Sequence, residues 1–340
     1  MRRFIRLAVA AGAVVSALAF SGSALAAYAP TLAVRSLTNG SGNPTTVRIE
    51  HYQSLDDDAT AKDTIYVPLG YGVNLTQPVG TKIGDIGALL VLRQGGNAQI
   101  QVSGTVTADS PANYPPATNL CTPGQAHEAV WRADVTVAGT PLRVPMYVDR
   151  ITAGPEAAFA AAKIQLCLAG PIGTPAGAQL FDAVFDVAGV FTNPTSSSRR
   201  IWRALFTPYV AGQPTPNPAG TIESQAWAAR SVSLSLSAKR LKRGNVVLSG
   251  RLSVDGSGIF GPRVGIYTGN RLVGRAPLTQ PGRYTIRKRI KRKTRFQARI
   301  DSIGEFSTCF LPSIGAPQGC RTASLWMVGR SRTVSVKPRR

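Results

Sequence analysis

The chain has 340 residues, with 39 Lys and Arg against 17 Asp and Glu, for a formal net charge of +22. Its 34 Gly and 24 Pro, set against few helix signals, exclude a helix-rich fold and favour an all-β one. Two histidines, and four cysteines without CxxC-like spacing, leave no zinc-type ligand set.

Residues 1–26 have the make-up of a secretory signal peptide. Arg2, Arg3 and Arg6 precede an apolar stretch over 7–20, and Ala24-Leu25-Ala26 supplies a small-x-small cleavage pattern. That stretch is shorter than the roughly 20 residues a spanning helix needs, and no later run approaches membrane length. The expectation is a protein secreted, or loosely attached to the cell surface, after cleavage near Ala26. No lipid-modified cysteine or transmembrane segment is expected in the mature chain.

From 27 to 210, alternating segments such as "TTVRIEHY", "AQIQVSGTV", "AVWRADVTV" and "LRVPMYV" are separated by turn clusters such as "TNGSGNP". This region is expected to be an N-terminal β-sandwich. Only "GPEAAFAAAK" (154–163) reads as helix, and it can equally be a strand entry because "KIQLCL" follows. "SLDDDATAKD" gathers Asp56, Asp57 and Asp58 in a turn. It is the calcium candidate, although its spacing misses the EF-hand alternation and a solvated loop is the plainer reading. His51 alternates with Val47 and Ile49 on a sheet face, and His127 stands beside Glu128, a possible general-base pair without a supporting motif. In "AQLFDAVFDVAGVF", period two turns Phe181, Ala183, Phe185 and Val187 inward and Asp182 and Asp186 outward. Trp202 and Phe206, four apart, read as core.

A proline-rich linker is placed at 211–229, and a basic region follows from 230 to 340. The latter holds 24 basic and 3 acidic residues, whereas 27–229 holds 12 and 14. Such asymmetry marks two modules with different surfaces. In an exported chain, proximity pairs Cys121 with Cys167 and Cys309 with Cys320 as disulfides.

"SVSLSLSAKRLKRGNVVLSGRLSVD", "GPRVGIYTGNRLVG", "GRYTIRKRI" and "TRFQARID" together resemble the bacterial immunoglobulin-like repeats of secreted surface proteins. The resemblance covers about a third of the chain and departs from the pattern at "FSTCFLPSIGAPQGC". It implies a β-sandwich, so the full expectation is two sandwiches in tandem, and it implies no particular activity.

The stretch 282–300 carries nine Lys or Arg in nineteen positions. At period two, Tyr284, Ile286 and Ile290 face a core and Arg283, Arg287 and Arg289 face water, with Lys288 breaking the pattern. Phe296, Ala298 and Ile300 face inward next, and Arg295 and Arg299 outward. In a sandwich these two strands belong to opposite sheets, which predicts a polyanion-binding face of Arg263, Arg275, Arg295 and Arg299, edged by Arg292 and Lys293. The plainer reading is a solubilising surface, but so one-sided a field favours contact with an anionic cell-wall polymer or acidic polysaccharide. Sequence-specific nucleic-acid reading is not expected, since no helix is offered to a groove. No cofactor is implied. The function expected is that of an exported, non-catalytic surface or matrix-associated protein. The alternatives are a secreted polysaccharide-active hydrolase with its site in the N-terminal region, and a structural component of an extracellular assembly.

Overall fold

The computed structural model describes residues 28–38, 40–93, 96–119, 121–137, 139–170, 178–195, 200–229, 231–259, 261–308 and 321–338. The expected signal peptide and the expected Cys309–Cys320 bridge lie outside these residues. The described residues are almost wholly β, with no α-helix among them.

The N-terminal region contributes β1 (Thr31–Ser36), β2 (Pro44–Tyr52), β3 (Thr60–Pro68), β4 (Gly72–Val73), β5 (Lys82–Leu92), β6 (Ala98–Asp109), β7 (Ala129–Val137), β8 (Thr140–Arg150), β9 (Ala160–Cys167), β10 (Ala178–Thr192), β11 (Ile201–Pro208) and β12 (Ile222–Trp227). Their pairing follows one antiparallel path, β1–β2–β10–β5–β6–β7–β8–β9–β3–β11–β12. The ladder curls over itself until its two ends meet, where the Leu32 N–H donates to Ser224 Oγ at 3.0 Å. Alternation dictates the interior: Val47 and Ile49 of β2, Phe185 and Val187 of β10, and Trp202 and Phe206 of β11 share one core with Trp131 and Ile164.

Three expectations change here. The helix reading of 154–163 gives way to a single 3₁₀ turn, Pro155–Ala158, followed at once by β9. In β9, Ala160, Ala162 and Ile164 are buried by the same alternation that defines its neighbours, so tertiary packing overrides alanine's helix preference. Phe181 does not face inward. The register shifts between Leu180 and Asp182, and the Phe181 ring packs edge-on against exposed Tyr52 at 5.2 Å. Residues 222–227 of the expected linker form β12, because the prolines end at Pro218 and the chain then pairs antiparallel with β11. Cys121 and Cys167 do form the expected disulfide, which ties the loop after β6 to the end of β9.

The C-terminal region contributes β13 (Val232–Leu234), β14 (Ser237–Arg240), β15 (Asn245–Val254), β16 (Ser257–Gly258), β17 (Val264–Thr268), β18 (Arg271–Ala276), β19 (Leu278–Gln280), β20 (Arg283–Arg289), β21 (Thr294–Thr308), β22 (Arg321–Arg330) and β23 (Val334–Val336). One sheet sets β13 and β14 along β15, then β20 and β19. The other runs β18–β17–β21–β22, with β23 continuing along β21. Between them lies a second core: Val246, Leu248, Leu252 and Tyr284 from the first sheet, and Ile266, Phe296, Ala298, Ile300 and Met327 from the second.

The two regions are joined through the sheet itself. β22 runs parallel to β12, with Ala226 opposite Ser324, and Ser324 Oγ donates to the Leu32 carbonyl. Alternation on the paired β11 and β12 feeds both cores. Trp202 and Ala226 are partners in the first core, while Ile201 and Trp227 are partners in the second. Burying a side chain as large as Trp227 contributes on the order of 2 kcal/mol or more to that joint.

Candidate polyanion-binding face

The two basic strands of 282–300 belong to different sheets, as expected of a sandwich. β20 pairs with β15 and β19, whereas β21 pairs with β17, β22 and β23. Arg283, Arg287 and Arg289 are exposed on the first sheet. Lys288, the exception in the pattern, has a physical account. A side-chain carbon at Gly274 would lie 2.8 Å from Lys288 Cε, so the glycine of β18 leaves the gap through which the lysine stem passes toward water.

On the second sheet the register builds a row. Gly265 of β17 lies opposite Arg275 of β18 on one side and Arg299 of β21 on the other, and Arg299 lies opposite Arg330 of β22. Residues opposite one another share a face, so Arg275, Arg299 and Arg330 stand in line with a bare glycine between the first two. Arg263, two residues before Gly265, leaves from the same face. Arg263, Arg275 and Arg299 line one groove of about 460 Å³ together with Pro262, Tyr267, Asp301 and Ile303.

Arg299 is fixed in place. Its Nε donates to Gln297 Oε1 at 2.8 Å, Nη2 donates to the Gly269 carbonyl at 2.8 Å, and the guanidinium lies 4.8 Å from the Tyr267 ring centroid. A cation held over an aromatic face loses less freedom when it later binds an anion. Arg263 and Arg275 are exposed, and among the described residues they make no side-chain hydrogen bond or ion pair.

Arg295 lines an adjoining recess with Arg299 and Gln297. Lys293 opens instead onto a separate recess with Arg240 and Lys337, and Arg292 is exposed in the turn between β20 and β21. The face is thus a groove of three arginines with Arg295 beside it, while the two expected edge residues point elsewhere or stand apart. Asp301, Tyr267 and the flat floor at Gly265 were not legible from charge alone. The Gly-x-Tyr spacing of "GIY" was the available signal, because it puts both residues on the arginine-bearing face.

The remaining candidates resolve into structure. Asp56, Asp57 and Asp58 do not converge on a cation: Asp57 is buried and accepts the Ser54 N–H at 2.9 Å, capping its own turn, while Asp56 is exposed. No group of three His, Cys, Asp or Glu side chains that could hold a metal is found among the described residues. His51 Nδ1 lies 2.7 Å from Asp63 Oδ2, both side chains only 2% exposed. His127 pairs with Asp149 at 2.8 Å rather than with Glu128, which binds Arg150, and its Nε2 meets Thr122 Oγ1 at 2.6 Å. That hydroxyl–imidazole–carboxylate chain has the order of an activated nucleophile. Thr122 is 1% exposed, however, and also takes a hydrogen bond from Asn119 Nδ2, so the chain fastens the loop beside the disulfide.

Asp186 is held by Arg48 through two hydrogen bonds of 2.7 Å. Glu50, on the neighbouring strand, has its carboxyl pushed up to about 7 by burial and then by Asp182. Burial likewise raises Asp182. The sequence matches no protein-family model and no curated protein.

Proposed function

We propose that this is an exported, non-catalytic β-protein whose arginine groove holds it to anionic extracellular polymers. The observation that carries this reading is the convergence of Arg263, Arg275 and Arg299 on one groove, with no ion pair among the described residues to neutralise them. The exposed guanidinium groups of Arg263 and Arg275 can grip a carboxylate or phosphate with a two-pronged fork, and Arg299, already bonded through Nε and Nη2, adds its charge beside them. The order of strands supports an immunoglobulin-like sandwich for the C-terminal region: β13/β14–β15–β20–β19 facing β18–β17–β21–β22 follows an A–B–E–D against C′–C–F–G arrangement. Export is supported by the leader-like residues 1–26 and by the Cys121–Cys167 disulfide.

The test is binding of the full chain, and of a variant with Arg263, Arg275, Arg295 and Arg299 changed to Ser, to polygalacturonate and to inorganic polyphosphate. With about four anionic contacts, affinity is expected to fall roughly a hundredfold between about 50 and 200 mM salt, and the variant to lose most of the binding and of the slope. A variant that binds as tightly as the parent would reduce the face to surface charge.

A further inference from the structure

Within that reading of the face as anion-binding, we propose that the groove selects an acidic polysaccharide over a bare polyphosphate, and that Asp301 makes the selection. A groove evolved only for phosphate has no use for a carboxylate in its wall, since the field of one negative charge there opposes every incoming anion. Yet Asp301 stands two residues from Arg299 on β21, leaves from the same face, and lines the same groove. Among the described residues it makes no ion pair, although Arg35 and Arg48 of the N-terminal region lie near enough to feel its charge. Its Oδ1 accepts the Trp326 indole N–H at 3.2 Å, which orients the carboxylate while Oδ2 stays available. A carboxylate fixed in this way is an acceptor for a hydroxyl donor, and sugar acids carry hydroxyls where polyphosphate carries none.

The rest of the lining fits the same ligand. Pro262 and Ile303, the latter 40% exposed, give the groove an apolar lip. The C–H faces of a pyranose ring can cover such a lip, whereas a phosphate chain has nothing apolar to offer it. The floor is bare at Gly265, where an added carbon would come within 2.7 Å of the Tyr267 ring, so the groove owes part of its depth to a missing side chain. Arg275 and Arg299 flank that floor and would take the carboxylates of the sugar, while its hydroxyls donate to Asp301.

The experiment measures full-chain affinity for polygalacturonate and for polyphosphate of matched charge, at one salt concentration, in the parent and two variants. Asp301→Ala is expected to raise polyphosphate affinity and to lower the ratio of polygalacturonate to polyphosphate affinity by about tenfold or more. Gly265→Ala, which leaves the net charge untouched, is expected to weaken polygalacturonate binding. If Asp301→Ala shifts both polymers equally, or Gly265→Ala leaves polygalacturonate binding unchanged, the selective groove is overturned and only the charged face remains. A parent chain that binds neither polymer at low salt overturns the anion-binding reading itself, and this inference with it.

Discussion

The two regions of the molecule treat their charges in opposite ways. In the N-terminal region Arg48, Lys82, Arg132, Arg143, Arg150, Lys163 and Arg203 each reach a carboxylate within 4 Å. In the C-terminal region no such pair is formed among the described residues, although its cations are far more numerous. Both regions nevertheless enclose an apolar core by the same alternation of buried and exposed positions. The difference shows that folding here does not depend on neutralising charge. Charges in the first region pair across strands and loops, whereas those in the second stand unpaired among the described residues.

The contrast can be broken most sharply at the buried pair. His51→Ala would leave the Asp63 carboxyl in the core without its partner, and chemical denaturation is expected to show a loss of about 3–5 kcal/mol. A loss under about 1 kcal/mol would mean that the pair does not support the first region. A smaller effect, confined to a pH window, is expected at Glu50. Its folded carboxyl titrates at about 7 against an ordinary 4.5, so the proton is held more tightly in the folded state. The stability this gives is fully present below about pH 4.5 and is lost as pH rises through about 7. Glu50→Gln should therefore match the parent in acid and melt at higher temperature above neutrality; parallel melting curves across the window would rule this out. The smallest effect sharpens the comparison from the other side. Arg275→Ser is expected to change stability by no more than about 0.5 kcal/mol, because its exposed side chain forms no hydrogen bond or ion pair among the described residues. A clear destabilisation would show that the C-terminal arginines serve the fold after all.

Much of this was legible in period two. Inward Tyr284, Phe296, Ala298 and Ile300, outward Arg283 and Arg287, core Trp202 and Phe206, and the Cys121–Cys167 bridge all follow from neighbours along the chain or from proximity. The misreadings share a cause. Phe181 escapes the alternation through a register shift, 160–163 is held extended by the strands on either side of β9, and 222–227 belongs to the first sheet and the joint rather than to a linker.

The sequence by itself determined the all-β class, the segregation of positive charge into the last third, and the side that meets water on strands such as β20 and β21. These depend on local alternation and composition, which act over a few residues. Only the tertiary structure decided that Arg263, Arg275 and Arg299 share one groove with Asp301, that His51 finds Asp63, and that Ser324 reaches the Leu32 carbonyl across 292 positions of chain. Strand adjacency and register are set by how two apolar faces close over a common core, and no short window of residues carries that information.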